Sequence, residues 1–135
     1  MQPFQRNTYR ALMTTATFLL LFAFFVYTAY AANLIQFPFD YDQGEGFELV
    51  DTILFSQFQW PYQNTDTFPF YSSNYPPVFH ILPAPLVWIF GPSYAYGRLL
   101  SFIGTLVTAG LIGYAVNREG RRPWIAVLCG LAFLS

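Results

Sequence analysis

The sequence contains no lysine and few charged residues of either sign. Only 10% of its 135 residues are charged, whereas a typical soluble domain carries about 25%. Because the formal net charge is −1, the chain lacks the basic surface that general binding to nucleic acid requires. Its single cysteine, Cys129, lies in an apolar run, which excludes a disulfide framework within the chain and a thiolate metal site. Since 55% of the residues are hydrophobic, the composition indicates a membrane protein.

A long uncharged run follows the N-terminus, at residues 12–32 (LMTTATFLLLFAFFVYTAYAA). About 20 residues suffice to cross a ~30 Å hydrocarbon core. Arg6 and Arg10 precede the run and acidic residues follow it, so the positive-inside rule predicts a cytoplasmic N-terminus and an extracytoplasmic loop at 34–76. The alternative is a cleaved signal peptide, with small residues at 29–32 (AYAA) as the cleavage site. A signal core usually has only ~7–15 apolar residues, which favours a retained span.

The remaining apolar segments predict an all-α, polytopic membrane fold in the plasma membrane. The expected spans are at about 11–33, 77–92 and 94–116, with the start of a fourth at 123–135. Because the sequence stops inside an apolar run, we expect residues 1–135 to be the N-terminal part of a larger transmembrane domain.

The second of these segments leaves the topology open. It is short and contains Pro83 and Pro85, which interrupt helical hydrogen bonding. A full crossing places the basic turn at 117–123 outside, against the charge rule, whereas a re-entrant half-span places it inside. The first helix usually dominates orientation, so we expect three crossings.

The long loop contains a pattern typical of a short amphipathic helix at residues 44–58. Apolar residues recur at three- and four-residue steps, while three acidic residues share another face. We expect this juxtamembrane helix to lie along the outer membrane surface. The apolar positions are Phe47, Val50, Leu54 and Phe58, and the acidic ones are Glu45, Glu48 and Asp51.

Five of the seven acidic residues are concentrated in residues 39–51 (FDYDQGEGFELVD). The structural interpretation is a capping box formed by Asp42 and Glu45, with the later acids on a solvated helix face. The functional interpretation starts from Gly44 and Gly46, which cost about 1 kcal/mol each in a helix but allow close approach to a ligand. Partly desolvated carboxylates have raised pKa values suited to a general base, or they hold a divalent cation against a phosphate leaving group.

Several segments, in their order and spacing, resemble the start of GT-C-type membrane glycosyltransferases. The similarity is strongest to the bacterial protein mannosyltransferases and lipid A aminoarabinose transferases, and it runs from about Ala11 to the end. It implies a helical membrane domain that transfers a sugar from a polyprenyl-phosphate carrier to an extracytoplasmic acceptor. The segments are DYDQGEG, WPYQNTD, NYPPVFHILPAPLVWIFGP and YGRLLSFIGTL.

The resemblance also implies roles for individual residues. Asp42 and Glu45 match the acidic motif of the first loop, which implies a catalytic base or a metal ligand. Asn74 and Tyr75 precede the second membrane helix, where relatives contact the lipid phosphate, and Arg98 matches an arginine near the start of the third span. The common motif is an adjacent Asp-Glu pair, whereas two residues separate the acids here. Which of the two is the catalytic acid therefore stays open, and the basic residue often found before the second helix is missing.

Arg98 and His80 each have two interpretations. An arginine at the bilayer centre costs ~2.5–3.5 kcal/mol and is functional by default, but near a span end it can extend to the interface. His80 is placed to donate to a phosphate or a sugar hydroxyl, or it is a helix-packing residue.

Two classes of function remain. The first is a membrane glycosyltransferase whose partners are a lipid-linked sugar donor and membrane lipid, with a divalent cation as a candidate cofactor. The second is a non-catalytic polytopic membrane protein, such as a transporter segment or assembly factor, whose acidic loop binds a partner or cation.

Overall fold

The computed structural model describes residues 3–68 and 70–135, and those residues contain helices but no strand. The predicted all-α fold class is therefore confirmed. The described helices are α1 (Pro3–Gln36), α2 (Gln43–Ser56), α3 (Val78–Ile81), α4 (Ala84–Phe90), α5 (Ala95–Gly120) and α6 (Pro123–Phe133).

Helices α1 and α5 are long and apolar enough to cross a membrane. They contain 34 and 26 residues, which corresponds to about 51 and 39 Å at 1.5 Å per residue, against a ~30 Å hydrocarbon core. The mean hydropathy of their most apolar stretches is 2.0 and 1.9. These two helices support membrane association, while the number of crossings stays a prediction.

The chain divides into two compact units. The span unit comprises the chain up to Ala32 together with Phe102–Ser135, and the loop unit comprises Asn33–Ser101. In the span unit, α5 and α6 approach through glycines: a Cβ atom on Gly130 would lie 2.9 Å from the Ala109 carbonyl oxygen. Small residues at such crossings let helix backbones pack closely in membranes.

The predicted span at 77–92 is divided into two short helices. Together α3 and α4 run from Val78 to Phe90, about 20 Å of helix. The division falls at Pro83 because Pro83 and Pro85 lack the N–H groups that would bond to the carbonyls four residues earlier. By length, this segment favours the half-span alternative. Both short helices pack against α2 in the loop unit.

The predicted basic turn at 117–123 is shorter in the structure. Helix α5 continues to Gly120, and α6 begins with Pro123 in its first turn, where proline is favoured. The non-helical link is therefore only Arg121 and Arg122, and Arg121 has a positive φ of 48°.

Helix α2 covers most of the predicted 44–58 segment but ends at Ser56. The last turn closes in a Schellman motif: the Gln59 N–H donates to the Leu54 carbonyl at 2.9 Å, and the Phe58 N–H donates to the Phe55 carbonyl at 3.0 Å. Phe58 has a φ of 58°, the left-handed conformation that glycine usually supplies at this position. Chain reversal after α2 therefore depends on a strained residue.

Candidate functional site

The first turn of α2 is held by two carboxylates. Asp42 is the N-cap residue, and its Oδ1 accepts hydrogen bonds from the backbone N–H groups of Gly44 (2.8 Å) and Glu45 (3.2 Å). Glu45 reaches back, and its Oε2 accepts from the backbone N–H of Tyr41 at 2.8 Å. The predicted capping role of Asp42 is confirmed, with the return bond one residue earlier than in the usual capping box.

The cap explains the presence of Gly44. A Cβ atom on this residue would lie 2.9 Å from Asp42 Oδ1, so any side chain would displace the capping carboxylate. The helix cap thus explains why residue 44 is a glycine, independently of any approach by a ligand.

Arg98, in the first turn of α5, uses every N–H of its guanidinium group within the loop unit. Its Nε donates to Glu45 Oε1 (2.9 Å) and one terminal nitrogen donates to Glu45 Oε2 (2.5 Å) and the Phe39 carbonyl (2.8 Å). The other terminal nitrogen donates to the carbonyls of Leu34 and Phe37, both at 2.6 Å. These five bonds match the five donors of arginine, and the Leu34 bond satisfies a carbonyl in the last turn of α1.

This pairing sets the charge of Glu45. The hydrogen bonds from Arg98 lower the pKa of the Glu45 carboxyl group, and they outweigh the opposing effect of burial. The expectation of a raised pKa is therefore wrong for Glu45, because a bidentate guanidinium stabilises the ionised form. Since Arg98 is only 8% exposed and its donors are all used, the geometry favours a structural role over phosphate binding. Its assignment as a substrate ligand stays a prediction.

A second polar cluster lies further along α2 and consists of Glu48, Asp51, Tyr71 and His80. Asp51 is 1% exposed and His80 is fully buried. The Tyr71 hydroxyl donates to Asp51 Oδ1 at 2.6 Å. His80 lies between the two acids, with Nδ1 3.3 Å from Glu48 Oε2 and Nε2 3.7 Å from Asp51 Oδ2. The interpretation of Asp51 as part of a solvated helix face is therefore wrong.

The imidazole of His80 is enclosed but poorly bonded. Phe55 stacks on its ring at 6.2 Å and Phe79 meets it edge-on at 5.7 Å. Among the described residues, neither ring nitrogen makes a hydrogen bond of good geometry, although Glu48 Oε2 is within reach of Nδ1. An unsatisfied buried polar group costs about 1–3 kcal/mol. Full burial also keeps the imidazole from direct contact with a substrate in this conformation, so substrate binding by His80 stays a prediction.

Burial changes the acidity of two members of this second cluster. Desolvation raises the pKa of Glu48, and it outweighs the opposing charge interaction with His80; the nearby Asp51 raises this pKa further. Desolvation and the hydrogen bond to Asp51 also raise the pKa of the Tyr71 hydroxyl, so Tyr71 stays a neutral donor. Glu45 and Glu48, three residues apart on one helix, thus have pKa values shifted in opposite directions.

Asn74 and Tyr75 lie on an exposed part of the loop before Pro76. The Tyr62 hydroxyl donates to the Tyr75 carbonyl, which fixes the backbone here. Within residues 3–68 and 70–135, no hydrogen bond or ion pair joins Asn74 or Tyr75 to the other four predicted site residues. Of the six, the structure brings Glu45 and Arg98 into direct contact and keeps Asp42 beside them on α2.

The described residues contain no group of three histidine, cysteine, aspartate or glutamate side chains arranged to hold a metal ion. Both Glu45 oxygens bond to Arg98, and Asp42 Oδ1 caps the helix. These two acids therefore do not fit the divalent-cation role considered from the sequence.

The sequence interpretation missed Asp51, Glu48 and Tyr71 as members of a buried cluster. A signal was present, because polar residues recur at three- and four-residue steps along α2. Helical spacing alone does not say whether such a face meets water or a neighbouring helix. The recurring positions are Glu45, Glu48, Asp51, Thr52 and Ser56.

Comparisons with protein-family models, with curated proteins and with solved structures found no match for this chain.

Proposed function

We propose that this chain is part of an integral membrane glycosyltransferase that transfers a sugar from a polyprenyl-phosphate carrier to an extracytoplasmic acceptor. The proposal is supported by the sequence resemblance and by two helices of membrane-spanning length. The observation that carries it is the position of α2. This helix bears three carboxylates, is capped by a fourth, and begins after only six residues, 37–42, that follow the long apolar helix α1. In the proposed topology the N-terminus is cytoplasmic and loop 34–76 is extracytoplasmic.

Asp42 and Glu45 have different parts in this proposal. Asp42 is exposed, and the cap uses only its Oδ1, so its Oδ2 is placed to take a proton from an acceptor hydroxyl. Glu45 is held ionised by Arg98 and stabilises the turn that positions Asp42. We therefore favour Asp42 as the catalytic base of the pair.

The test is sugar transfer by membranes from cells that express the full-length protein that contains this sequence. A radiolabelled sugar on polyprenyl phosphate serves as the donor. The Asp42→Asn variant keeps a good N-cap residue but removes the base, so transfer should fall by about 10²–10⁴-fold. The Asp42→Asn, Glu45→Gln double variant should transfer no more sugar than the Asp42→Asn variant.

The matched control is Asp66→Asn, since Asp66 is an exposed loop carboxylate and its loss should leave transfer unchanged. Undiminished transfer by the Asp42→Asn, Glu45→Gln double variant would remove both residues from the mechanism.

A second candidate function is a non-catalytic membrane protein. The observation that favours it is the structural use of the acidic motif, since Asp42 caps α2 and Glu45 is paired with Arg98. Wild-type membranes that transfer no sugar from any polyprenyl-phosphate donor would favour this candidate.

A further inference from the structure

The second cluster on α2 has no part in the proposed acidic motif, and its features point to proton transfer. His80 is fully buried, both of its ring nitrogens lack a well-formed hydrogen bond within the described residues, and both face carboxylates. A buried polar side chain in this condition is unusual. A buried ionisable group with specific charged neighbours is a candidate for a functional role.

Asp51 and His80 are closed off from solvent, whereas Glu48 is accessible and Tyr71 is partly exposed. The Glu48 side chain is 26% exposed, whereas the side chains of Asp51 and His80 are 2% and 0% exposed. Glu48 therefore lies between the surface of the loop unit and the buried side chains of His80 and Asp51. His80, Asp51 and Tyr71 are the titratable groups that face it, from α3, from α2 and from the loop before α3, respectively.

Glu48 is also placed beside the acidic motif. It lies three residues after Glu45, and residues three apart on an α-helix share a face with Cβ atoms about 5–6 Å apart. A carboxyl group whose environment raises its pKa stays protonated to a higher pH, as a general acid requires. Arg98 lowers the pKa of Glu45 and desolvation raises that of Glu48.

We propose that Glu48 is the proton donor to the departing lipid phosphate, with His80, Asp51 and Tyr71 as positioning residues that hold its carboxyl group. This inference rests on the proposed glycosyltransferase function. It adds a catalytic residue outside the acidic motif of Asp42 and Glu45.

The proposed step balances in protons and electrons. The acceptor O–H bond breaks, its proton goes to the Asp42 carboxylate, and the acceptor oxygen bonds to the anomeric carbon of the sugar. The bond between that carbon and the phosphate oxygen breaks, and its electron pair stays on the phosphate. The phosphate oxygen takes the proton of Glu48. The proton on Asp42 returns to Glu48 through solvent before the next turnover.

The experiment compares kcat against pH for the wild-type complete protein, Glu48→Gln and Glu48→Asp in membranes, with the labelled polyprenyl-phosphate sugar as donor. Glu48→Gln should lower kcat by about 100-fold, within the range for loss of general acid catalysis. It should also abolish the decline in kcat that the wild type shows as rising pH ionises Glu48. Glu48→Asp should lose less activity and keep that decline, which a purely structural role would not predict.

Protein amount and folding are checked on each variant by size-exclusion chromatography. A Glu48→Gln variant that folds and keeps more than a third of wild-type kcat, or keeps the high-pH decline, overturns the inference alone. If Glu48→Gln does not fold, a Glu48→Asp variant with a flat pH profile overturns it. Wild-type membranes without any transfer would instead overturn the proposed function.

Discussion

At the first turn of α2, the Arg98 guanidinium places five N–H donors on five oxygens, and the Asp42 carboxylate caps the helix. Further along the same helix, Glu48 and Asp51 lie on either side of His80 from α3, and neither ring nitrogen of His80 is well bonded among the described residues. The hydrogen bonds of the Glu45–Arg98 pair at the first turn are thus complete, whereas those of His80 are not.

This difference indicates what each end is suited to do. A fully bonded ion pair resists change, because the removal of one partner leaves the other buried and unpaired. A polar cluster with unused hydrogen-bonding capacity can gain or lose a proton at a smaller structural cost. The Glu45–Arg98 pair at the first end therefore suits a role in stability, and the cluster at the second end suits a role in chemistry.

The largest expected effect on stability comes from a change to Arg98, which pairs with Glu45 in the first turn of α2. Arg98→Lys replaces five donors in a planar group by three on one nitrogen, so it cannot serve Glu45 and three carbonyls together. We expect a loss of about 3 kcal/mol or more in the free energy of unfolding, measured by denaturant titration in detergent micelles. The control is Arg118→Lys, at an exposed position at the end of α5, which should change stability by about 0.5 kcal/mol or less. Equal effects for the two variants would contradict the role assigned to Arg98.

A smaller effect is expected at the second end. Tyr71→Phe removes only the hydroxyl that donates to Asp51 Oδ1, which leaves a buried acceptor unsatisfied. The free energy of unfolding should fall by about 1–3 kcal/mol, less than for Arg98→Lys. Tyr41→Phe is the matched control, because Tyr41 is exposed and its bond to Glu45 uses the backbone N–H. A Tyr71→Phe protein as stable as the control would show that Asp51 does not depend on this bond.

The smallest effect concerns the pH dependence of stability, where the two ends should differ in sign. The lowered pKa of Glu45 means that its stabilising contribution is present above the ordinary value of about 4.3 and is lost as pH falls through its folded pKa. The raised pKa of Glu48 means the opposite: its contribution is present below about 4.3 and is lost as pH rises through its folded pKa.

Melting temperatures between pH 3 and pH 7 for Glu45→Gln and Glu48→Gln test this difference in sign. Relative to the wild type, the melting temperature of Glu45→Gln should fall as pH rises, and that of Glu48→Gln should rise. Because both side chains are about a quarter exposed, each effect should amount to about 1 kcal/mol or less. If the melting temperatures of both variants, relative to the wild type, changed in the same direction with pH, the contrast between the two carboxylates would be wrong.

Several features of the fold could be predicted from local sequence. The long apolar helix α1, helix α2 and its Asp42 cap follow from residue spacing and composition, which act within a few residues along the chain. The extent of α5 and the division at Pro83 were predicted less well. Helix ends depend on which backbone groups find partners, and the Schellman motif at Phe58 uses a residue that does not usually mark a helix end.

The candidate site was less predictable than the fold. The six residues predicted for it include Glu45 and Arg98, which meet in the structure, but nothing local indicated that all five Arg98 donors would be used. Tyr71 lies 20 residues from Asp51, and a contact of that range leaves no periodic signal. Glu48 and Asp51 form a polar stripe that is visible in the sequence. The sequence does not show whether that stripe faces solvent or a neighbouring helix.

The sequence alone determined that the chain is helical and rich in apolar residues, and that most of its acids lie on one short helix after α1 or directly before that helix. Those properties depend on composition and on neighbours within about two turns. Only the tertiary structure decided which face of α2 is buried: the polar stripe packs against α3 and α4, while Phe47 and Val50 stay exposed. The reason is that α2 carries both an apolar and a polar stripe. The packing of α3, which contains His80, against the polar stripe decides which of the two is buried.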